Sequence, residues 1–225
     1  MSRKRLNIHW IDARDPVDSF PPVDSALQNP DGLLAAGGDL QPDRLIAAYQ
    51  RGIFPWYSTG QPILWWSPDP RAILLPQDMK VTRSLRKSIR KQAFESRIDY
   101  DFDAVITACG DPLYRRDGTW ITEEMRAAYS KLYQLGFAHS VETWQQDKLV
   151  GGLYGVQLGQ VFFGESMFSR VPDASKFALK CLCEQLISQG VGMIDCQMAT
   201  SHLLSLGAQL IPRTEFTQML EKYAP

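Results

Sequence analysis

A predicted β-hairpin in the second half of the chain constrains the fold most. Residues 149–156 and 161–166 are two apolar runs separated by a short connection that contains Gly159. The second run ends in Glu165, two serines and Arg170 within six residues. A buried strand that ends in polar groups usually opens onto a cleft, because those groups need water or partners. The pattern predicts either a site around Glu165 or a surface ion pair between Glu165 and Arg170.

The segments around this hairpin alternate between helical and strand patterns. Pro42 suits the first position of a helix, and Thr122 can cap another helix whose first turn carries two glutamates. Further predicted strands lie at 139–144, 192–197 and 208–211, and further predicted helices at 173–189, 201–206 and 214–223. This order predicts an α+β fold with a mixed, largely antiparallel sheet.

Composition narrows the class of protein. The 225 residues are 44% hydrophobic and 22% charged, which is typical of a globular protein that dissolves in water. No apolar run approaches the roughly 20 residues that cross a bilayer. The basic N-terminus is followed by Asn7, His9 and Asp12 where a signal peptide needs apolar residues. We therefore expect a cytoplasmic protein with no membrane partner, and a monomer.

The cysteines and histidines do not form a metal-binding pattern. Cys109, Cys181, Cys183 and Cys196 include no C-x-x-C pair, and none of the three histidines stands at ligand spacing from a cysteine. We expect free thiols in the core and no metal site. The net charge of −1 also argues against a protein that coats nucleic acid without specificity.

One segment is nevertheless strongly basic. Residues 80–91 contain six lysines and arginines and no acidic residue, while Val81, Leu85 and Ile89 recur every four positions. This predicts an amphipathic helix with one apolar stripe and a wide basic face. A face of one sign suggests a polyanionic partner, and the narrow stripe without aromatics favours RNA phosphates over a membrane surface. The alternative is a helix that is merely solvated.

Two further clusters are candidates for a site. Trp65 and Trp66 favour the core, whereas Trp56, between Pro55 and Ser58, favours the wall of a binding site. In the strand at 192–197, strict alternation puts Asp195 and Gln197 on one face and Ile194 on the other. A carboxylate in an apolar strand either stabilises the core through hydrogen bonds or belongs to a functional site.

The missing motifs restrict the chemistry. The chain has no Ser-His-Asp or Cys-His signature, no phosphate-binding G-x-x-x-x-G-K-[ST] loop and no G-x-G-x-x-G after a strand. An enzyme built from carboxylates and an amide suits direct transfer from an already activated donor, where positioning supplies most of the rate.

Five motifs, in order and spread from about residue 20 to the end, resemble those of the leucyl/phenylalanyl-tRNA–protein transferase family. They are Phe54-Pro55-Trp56, the run from Trp65 to Arg71, Gly118-Thr119-Trp120-Ile121-Thr122, Gly164-Glu165-Ser166-Met167-Phe168-Ser169 and Ile194-Asp195-Cys196-Gln197. The resemblance implies an enzyme without a cofactor that moves Leu or Phe, and Met less well, from aminoacyl-tRNA to proteins with N-terminal Arg or Lys, as a degradation signal. It also implies a small N-terminal domain at 1–69 and a GNAT-like acyltransferase domain at 70–225.

The resemblance also implies roles for individual residues. Asp195 and Gln197 correspond to the catalytic pair, and we expect Asp195 to accept or relay the proton of the attacking amine, with the tRNA 2′-hydroxyl as an open alternative. Glu165 is expected to hydrogen-bond with Trp56. The expected substrate-binding residues are Trp56, Trp120, Leu153, Phe162, Glu165, Leu182 and Ile194, and the expected tRNA-binding residues are Arg83, Arg86, Lys87, Arg90 and Lys91.

Two residues depart from some members of the family, and two other functions compete. Leu153 and Leu182 stand where some members have Met and Phe, so the balance between Leu and Phe is open. An acetyl-CoA-dependent GNAT acetyltransferase would need a Gly-rich loop before the main helix, but residues 170–176 contain no glycine. A non-catalytic RNA-binding module would need only the basic helix and would leave Asp195 and Gln197 without a purpose.

Overall fold

Two β-sheets organise the chain in the computed structural model, which describes residues 8–111 and 120–224. Within those ranges the first sheet has four short strands in the order β1-β2-β4-β3. Its strands are β1 (His9–Ile11), β2 (Leu33–Gly37), β3 (Phe54–Pro55) and β4 (Leu64–Trp66). β1 runs parallel to β2, and the other pairs are antiparallel.

The second sheet is larger and contains the predicted hairpin. Its described strands are β5 (Arg71–Leu74), β6 (Glu95–Ile98), β7 (Ala138–Gln145), β8 (Lys148–Leu158), β9 (Val161–Ser169), β10 (Met193–Gln197) and β11 (Gln209–Ile211). They lie in the order β11-β5-β10-β9-β8-β7-β6. Only β9 and β10 are parallel among the described pairs of this sheet, so the predicted mixed, largely antiparallel α+β fold is confirmed.

The hairpin turn is tighter and its strands longer than the sequence pattern predicts. β8 and β9 are joined through Gly159 and Gln160 alone. Gly159 has φ of +54°, and a Cβ there would lie 2.5 Å from the carbonyl oxygen of Tyr223. Glycine is needed because it accepts the left-handed conformation and leaves room for the C-terminal segment.

The helices follow the predicted capping signals. They are α1 (Pro42–Gln50), α2 (Arg83–Gln92), α3 (Phe102–Cys109), α4 (Glu123–Gln134), α5 (Ala174–Ser188), α6 (Ser201–Ser205) and α7 (Arg213–Tyr223). The Thr122 hydroxyl accepts the Met125 N–H at 3.2 Å, so this predicted cap is confirmed. The basic helix begins at Arg83, not at residue 80, because Thr82 caps it through the Leu85 N–H.

Buried side chains pack on both faces of the large sheet. On one face a continuous cluster joins the two sheets, and it includes Tyr49, Trp65, Tyr129, Phe163 and Phe216. On the other face α5 packs mainly on β7 and β8 and also on β9. Leu179 and Leu182 of this helix belong to the same buried cluster as Phe162 and Ile194. Because the first cluster continues across residue 69, the division into domains at 1–69 and 70–225 stays a prediction. None of the described helices has the length and apolar character needed to span a membrane.

Candidate active site

A cavity of about 390 Å³ lies where β8, β9 and β10 meet the segment that follows β3. Its volume falls in the lower part of the range typical of small-molecule sites. All seven predicted substrate-binding residues line it: Trp56, Trp120, Leu153, Phe162, Glu165, Leu182 and Ile194. Gln197 also lines the cavity, whereas Asp195 is not among the lining residues.

One half of the cavity is apolar. Ile194 and Phe162 are opposite each other in the parallel pairing of β10 and β9, and Leu153 comes from β8. Leu179 and Leu182, three residues apart on α5, complete this wall. Leu179 was not predicted as a site residue, although its spacing from Leu182 places it on the same helix face. This half suits a branched or aromatic side chain.

A close backbone approach shapes the same wall. Gly155 of β8 lies opposite Gly164 of β9, beside a register shift between the two strands. A Cβ at Gly155 would lie 2.2 Å from the Phe163 carbonyl oxygen and 2.5 Å from the Phe162 ring. The glycine therefore leaves the space that the Phe162 ring occupies.

The polar end of the cavity is formed by Glu165. Its Oε1 lies 2.7 Å from the Tyr49 hydroxyl oxygen, and its Oε2 lies 2.9 Å from the Tyr129 hydroxyl oxygen, so both pairs are hydrogen-bonded. Gln197 Nε2 lies 3.5 Å from Oε1. The pKa of Glu165 is raised to about 7. Burial is the main cause and outweighs the two tyrosine hydrogen bonds, which lower the pKa, and the nearby Asp195 contributes to the rise.

Tyr49 and Tyr129 come from two helices, α1 and α4, and are fully buried. Their hydroxyl oxygens are 2.5 Å apart. Burial is the main cause that raises the pKa of both hydroxyls well above the ordinary tyrosine value, and the carboxylate of Glu165 adds to it. Both tyrosines occupy core positions of their helices, so the sequence pattern alone gave them no role in a site.

Asp195 lies in a different environment, sealed from solvent against Arg71. The Arg71 guanidinium donates to both carboxylate oxygens, at 2.8 and 2.7 Å, and both side chains are fully buried. Arg71 also donates to the Gly52 carbonyl oxygen at 3.0 Å and lies over the rings of Phe54 and Phe216. This bidentate pair holds Asp195 as a charged, oriented group inside the core.

The alternation predicted for β10 is wrong at its C-terminal end. A register shift lies between Asp195 and Gln197, and Gln197 has φ of +56°. The bulge turns Gln197 into the cavity, while its backbone N–H donates to Asp195 Oδ1 at 2.9 Å. Asp195 and Gln197 are therefore linked through the backbone, and they do not share one face toward the substrate.

Trp56 lies on the cavity wall, but not in the contact that the resemblance implies. Across residues 8–111 and 120–224, the hydrogen bonds recorded for Glu165 are to Tyr49, Tyr129 and Gln197, and none is to Trp56. The Trp56 ring packs edge-on against Trp66, whose Nε1 donates to the Trp56 carbonyl oxygen at 2.7 Å. Trp56 therefore adds an aromatic surface, and Trp65 is fully buried, as predicted.

The predicted basic face is present on α2. Arg83, Arg86, Lys87, Arg90 and Lys91 are all exposed and border one shallow surface depression. None of the five takes part in an ion pair recorded for the described part of the chain. Leu85, the centre of the apolar stripe, is buried.

The remaining predictions concern thiols and one motif. All four cysteines are free, but only Cys109 and Cys183 are buried in the core, whereas Cys181 and Cys196 are partly buried. In residues 8–111 and 120–224 there is no group of three or more side chains that could hold a metal ion. Gly118 and Thr119 of the third motif lie outside the described residues, whereas Trp120 lines the cavity.

Comparison with known proteins identifies the family. A family model described as leucyl/phenylalanyl-tRNA protein transferase matches residues 73–221, and a model of that family's N-terminal domain matches residues 38–69. The chain belongs to this family. Proteins named leucyl/phenylalanyl-tRNA–protein transferase are 59% identical in Nitrosomonas eutropha and 56% identical in Pseudomonas aeruginosa. The alignment with the Nitrosomonas eutropha protein covers 90% of this chain and 87% of that protein. The alignment with the Pseudomonas aeruginosa protein covers 95% of this chain and 94% of that protein.

Another transferase of this name, from Nitrosospira multiformis, is 61% identical over 90% of this chain and 88% of its own length. Among solved structures, a GCN5-related N-acetyltransferase from Kribbella flavida aligns with 76% of this chain and 61% of its own chain, at a TM-score of 0.38 and 11% identity.

Proposed function

We propose that this protein transfers leucine or phenylalanine, and methionine less well, from aminoacyl-tRNA to the α-amine of proteins that begin with Arg or Lys. The product would carry a degradation signal, and the protein would act as a cytoplasmic monomer. Membership of the transferase family supports the reaction class. The observation that carries the proposal is one cavity with an apolar half and a polar end at Glu165 and Gln197.

The apolar half of the cavity accounts for the choice of leucine or phenylalanine as the transferred amino acid. Leu153, Leu182 and Ile194 offer aliphatic surface, and Phe162 offers an aromatic face, so a leucine or phenylalanine side chain buries apolar area there. A side chain held in this half directs its ester carbonyl toward the polar end. Trp56 and Trp120 then flank the aminoacyl ester.

The reaction needs positioning more than activation, because the tRNA ester is already activated. The acceptor amine attacks the ester carbonyl, so the cavity must hold two substrates in one geometry. Gln197 extends its amide into the cavity and orients the amine or the ester. Asp195 acts as a positioning residue: it fixes the Gln197 backbone and is itself fixed by Arg71.

The exposed basic face of α2 accounts for the tRNA. Its five cations have no recorded acidic partners in the described chain, so they remain free to pair with phosphates. Contacts of this kind position a nucleic acid without reading its sequence. We assign the acceptor stem of the tRNA to this face, because the acceptor stem carries the amino acid that must reach the cavity.

Transfer of labelled leucine or phenylalanine from charged tRNA to a short peptide tests the proposal. A peptide that begins with Arg or Lys should accept the label, and the same peptide beginning with Ala is the matched control. The same assay with acetyl-CoA in place of charged tRNA tests the alternative hypothesis of an acetyltransferase. Acetylation of the peptide, or binding of charged tRNA without any transfer, would replace the proposal with one of the two competing functions.

A further inference from the structure

Glu165, Tyr49 and Tyr129 form a closed triangle of oxygen contacts. Tyr49 Oη lies 2.7 Å from Glu165 Oε1, and Tyr129 Oη lies 2.9 Å from Glu165 Oε2. The third side joins the two hydroxyl oxygens at 2.5 Å. All three distances are within hydrogen-bond range for oxygen pairs, so each side requires one proton between its two oxygens.

Counting protons shows that an ionised carboxylate cannot satisfy this triangle. Each tyrosine hydroxyl has a single proton to donate, and an ionised glutamate has none. If both hydroxyls donate to the carboxylate, the two hydroxyl oxygens face each other at 2.5 Å with no proton between them. Gln197 brings its N–H to Oε1, not to the tyrosine pair, so it does not supply the missing proton.

We propose that Glu165 is protonated in the resting protein and closes a ring of three hydrogen bonds with Tyr49 and Tyr129, and that this ring supplies and recovers the proton of the transfer step. In the ring, Glu165 Oε2 donates to Tyr129, Tyr129 donates to Tyr49, and Tyr49 donates to Glu165 Oε1. This direction fits Gln197, since Oε1 is then the oxygen that accepts from both neighbours.

The chemistry balances with no further reactant. The free amine of the acceptor attacks the ester carbonyl carbon, so a C–N bond forms and the C–O bond to the ribose breaks. The departing ribose oxygen takes the proton of Glu165, and the nitrogen gives up one proton to the carboxylate that is left. The ring hydroxyls allow the proton to leave from one oxygen of Glu165 and return at the other. This step rests on the proposed function.

The charges around Glu165 agree with a neutral resting form. The Asp195 carboxylate of β10 and the Arg71 guanidinium of β5 are paired with each other. His202 of α6 lines the same cavity, and burial lowers its pKa, which favours the neutral imidazole. Burial likewise raises the pKa of the Cys196 thiol, so this cavity residue is also neutral. The pKa of Glu165, about 7, supports protonation below neutral pH and of about half of the molecules at pH 7.

Infrared difference spectroscopy of the full-length protein tests the protonation state directly. At a pH of about 6, roughly one unit below that pKa, the wild type should show a carboxylic-acid C=O band that shifts in heavy water. The band should be absent in Glu165→Gln and retained in Glu142→Gln. Glu142 is a matched control, because each of its recorded hydrogen-bond donors brings its own proton. No band in the wild type, or a band that survives in Glu165→Gln, would overturn the proposal.

A second variant distinguishes the ring from two independent hydrogen bonds. In Tyr129→Phe, the protonated form loses two neutral ring bonds, and the ionised form loses one charge-assisted bond of roughly twice their strength. The two losses nearly cancel, so the infrared titration midpoint of Glu165 should change by less than about one unit. If Tyr129 merely donates to an ionised carboxylate, its removal raises the midpoint by more than that, and this result would refute the ring.

Transfer kinetics separate this inference from the proposed function. In Glu165→Gln, kcat should fall by about 10²- to 10⁴-fold, the usual contribution of a general acid–base group, while the KM for charged tRNA stays near its wild-type value. An unchanged kcat would contradict a role for the ring proton. If the wild type transfers nothing but shows the Glu165 band, the ring stands and the proposed function fails.

Discussion

Asp195 and Glu165 are two carboxylates on neighbouring strands with opposite surroundings. Asp195 is sealed inside the core and meets a cation, Arg71, through two short hydrogen bonds. Glu165 lines the cavity and meets two hydroxyls that carry no charge. The partner decides the chemistry: a guanidinium keeps a carboxylate charged and fixed, whereas hydroxyls in an apolar site let it take and give a proton.

Asp195 and Glu165 also differ in whether a substrate can reach them. A substrate in the cavity can touch Glu165 and Gln197, but it reaches Asp195 only through the backbone of Gln197. A carboxylate in an apolar strand therefore does not identify the reacting group by itself. The reacting carboxylate is identified by which of its oxygens a substrate can reach and by which neighbouring groups can exchange a proton with it.

The largest expected effect comes from breaking the ion pair of Asp195. Arg71→Met leaves a buried carboxylate without its cation, and removing one partner of a buried pair costs about 3–5 kcal/mol. We expect the free energy of unfolding, measured by urea denaturation, to fall by this amount. Glu165 has no cation as a direct partner, so no variant of its neighbours should cost as much through an unpaired charge.

The double variant Arg71→Met/Asp195→Asn is the control for this prediction. It removes both charges, so it should recover a large part of the loss. If Arg71→Met alone changed the free energy of unfolding by less than about 1 kcal/mol, the pair would not be the buried, desolvated contact described here.

A smaller effect of opposite sign is expected for Glu165→Gln. The pKa of Glu165 is raised from 4.5 to about 7 on folding, so between these values the folded state binds more protons than the unfolded state. The free energy of unfolding therefore falls as pH rises through this window. Gln keeps the hydrogen bonds and removes the charge, so the variant should be more stable than wild type above pH 7, by no more than about 3.4 kcal/mol.

Urea denaturation at several pH values checks this prediction. The difference between Glu165→Gln and wild type should be near zero at pH 4.5, grow toward pH 7 and then level off. A variant that is less stable than wild type above pH 7 would show that the carboxylate is better satisfied when ionised.

Local patterns predicted the hairpin and the cap at Thr122. The hairpin follows from alternating apolar runs around a glycine, and the cap from a threonine before two glutamates. These signals act over a few residues, so they need no knowledge of the tertiary fold. The resemblance then grouped Leu153, Phe162, Leu182 and Ile194, which line one cavity.

The partners of the two carboxylates were not predictable in this way. Tyr49 lies 116 residues from Glu165, and Arg71 lies 124 residues from Asp195. Both partners sit on core faces, where an apolar pattern gives no sign of a polar contact. The bulge at Gln197 was missed for a related reason: a single residue with positive φ interrupts a strand whose side chains alternate regularly in sequence.

The smallest predicted effect connects the two carboxylates. The Asp195 charge raises the pKa of Glu165, and the Arg71 charge lowers it. Asp195→Asn removes the first and leaves the second, so the pKa of Glu165 should fall, by less than about one unit or 1.4 kcal/mol. The infrared titration midpoint of the Glu165 band measures this fall without any substrate.

The double variant Arg71→Met/Asp195→Asn is the control. It removes both charges, so its midpoint should lie above that of Asp195→Asn. An equal or higher midpoint in Asp195→Asn than in wild type would mean that the core ion pair does not influence Glu165 electrostatically, and Asp195 would then act on the site only through the backbone of Gln197.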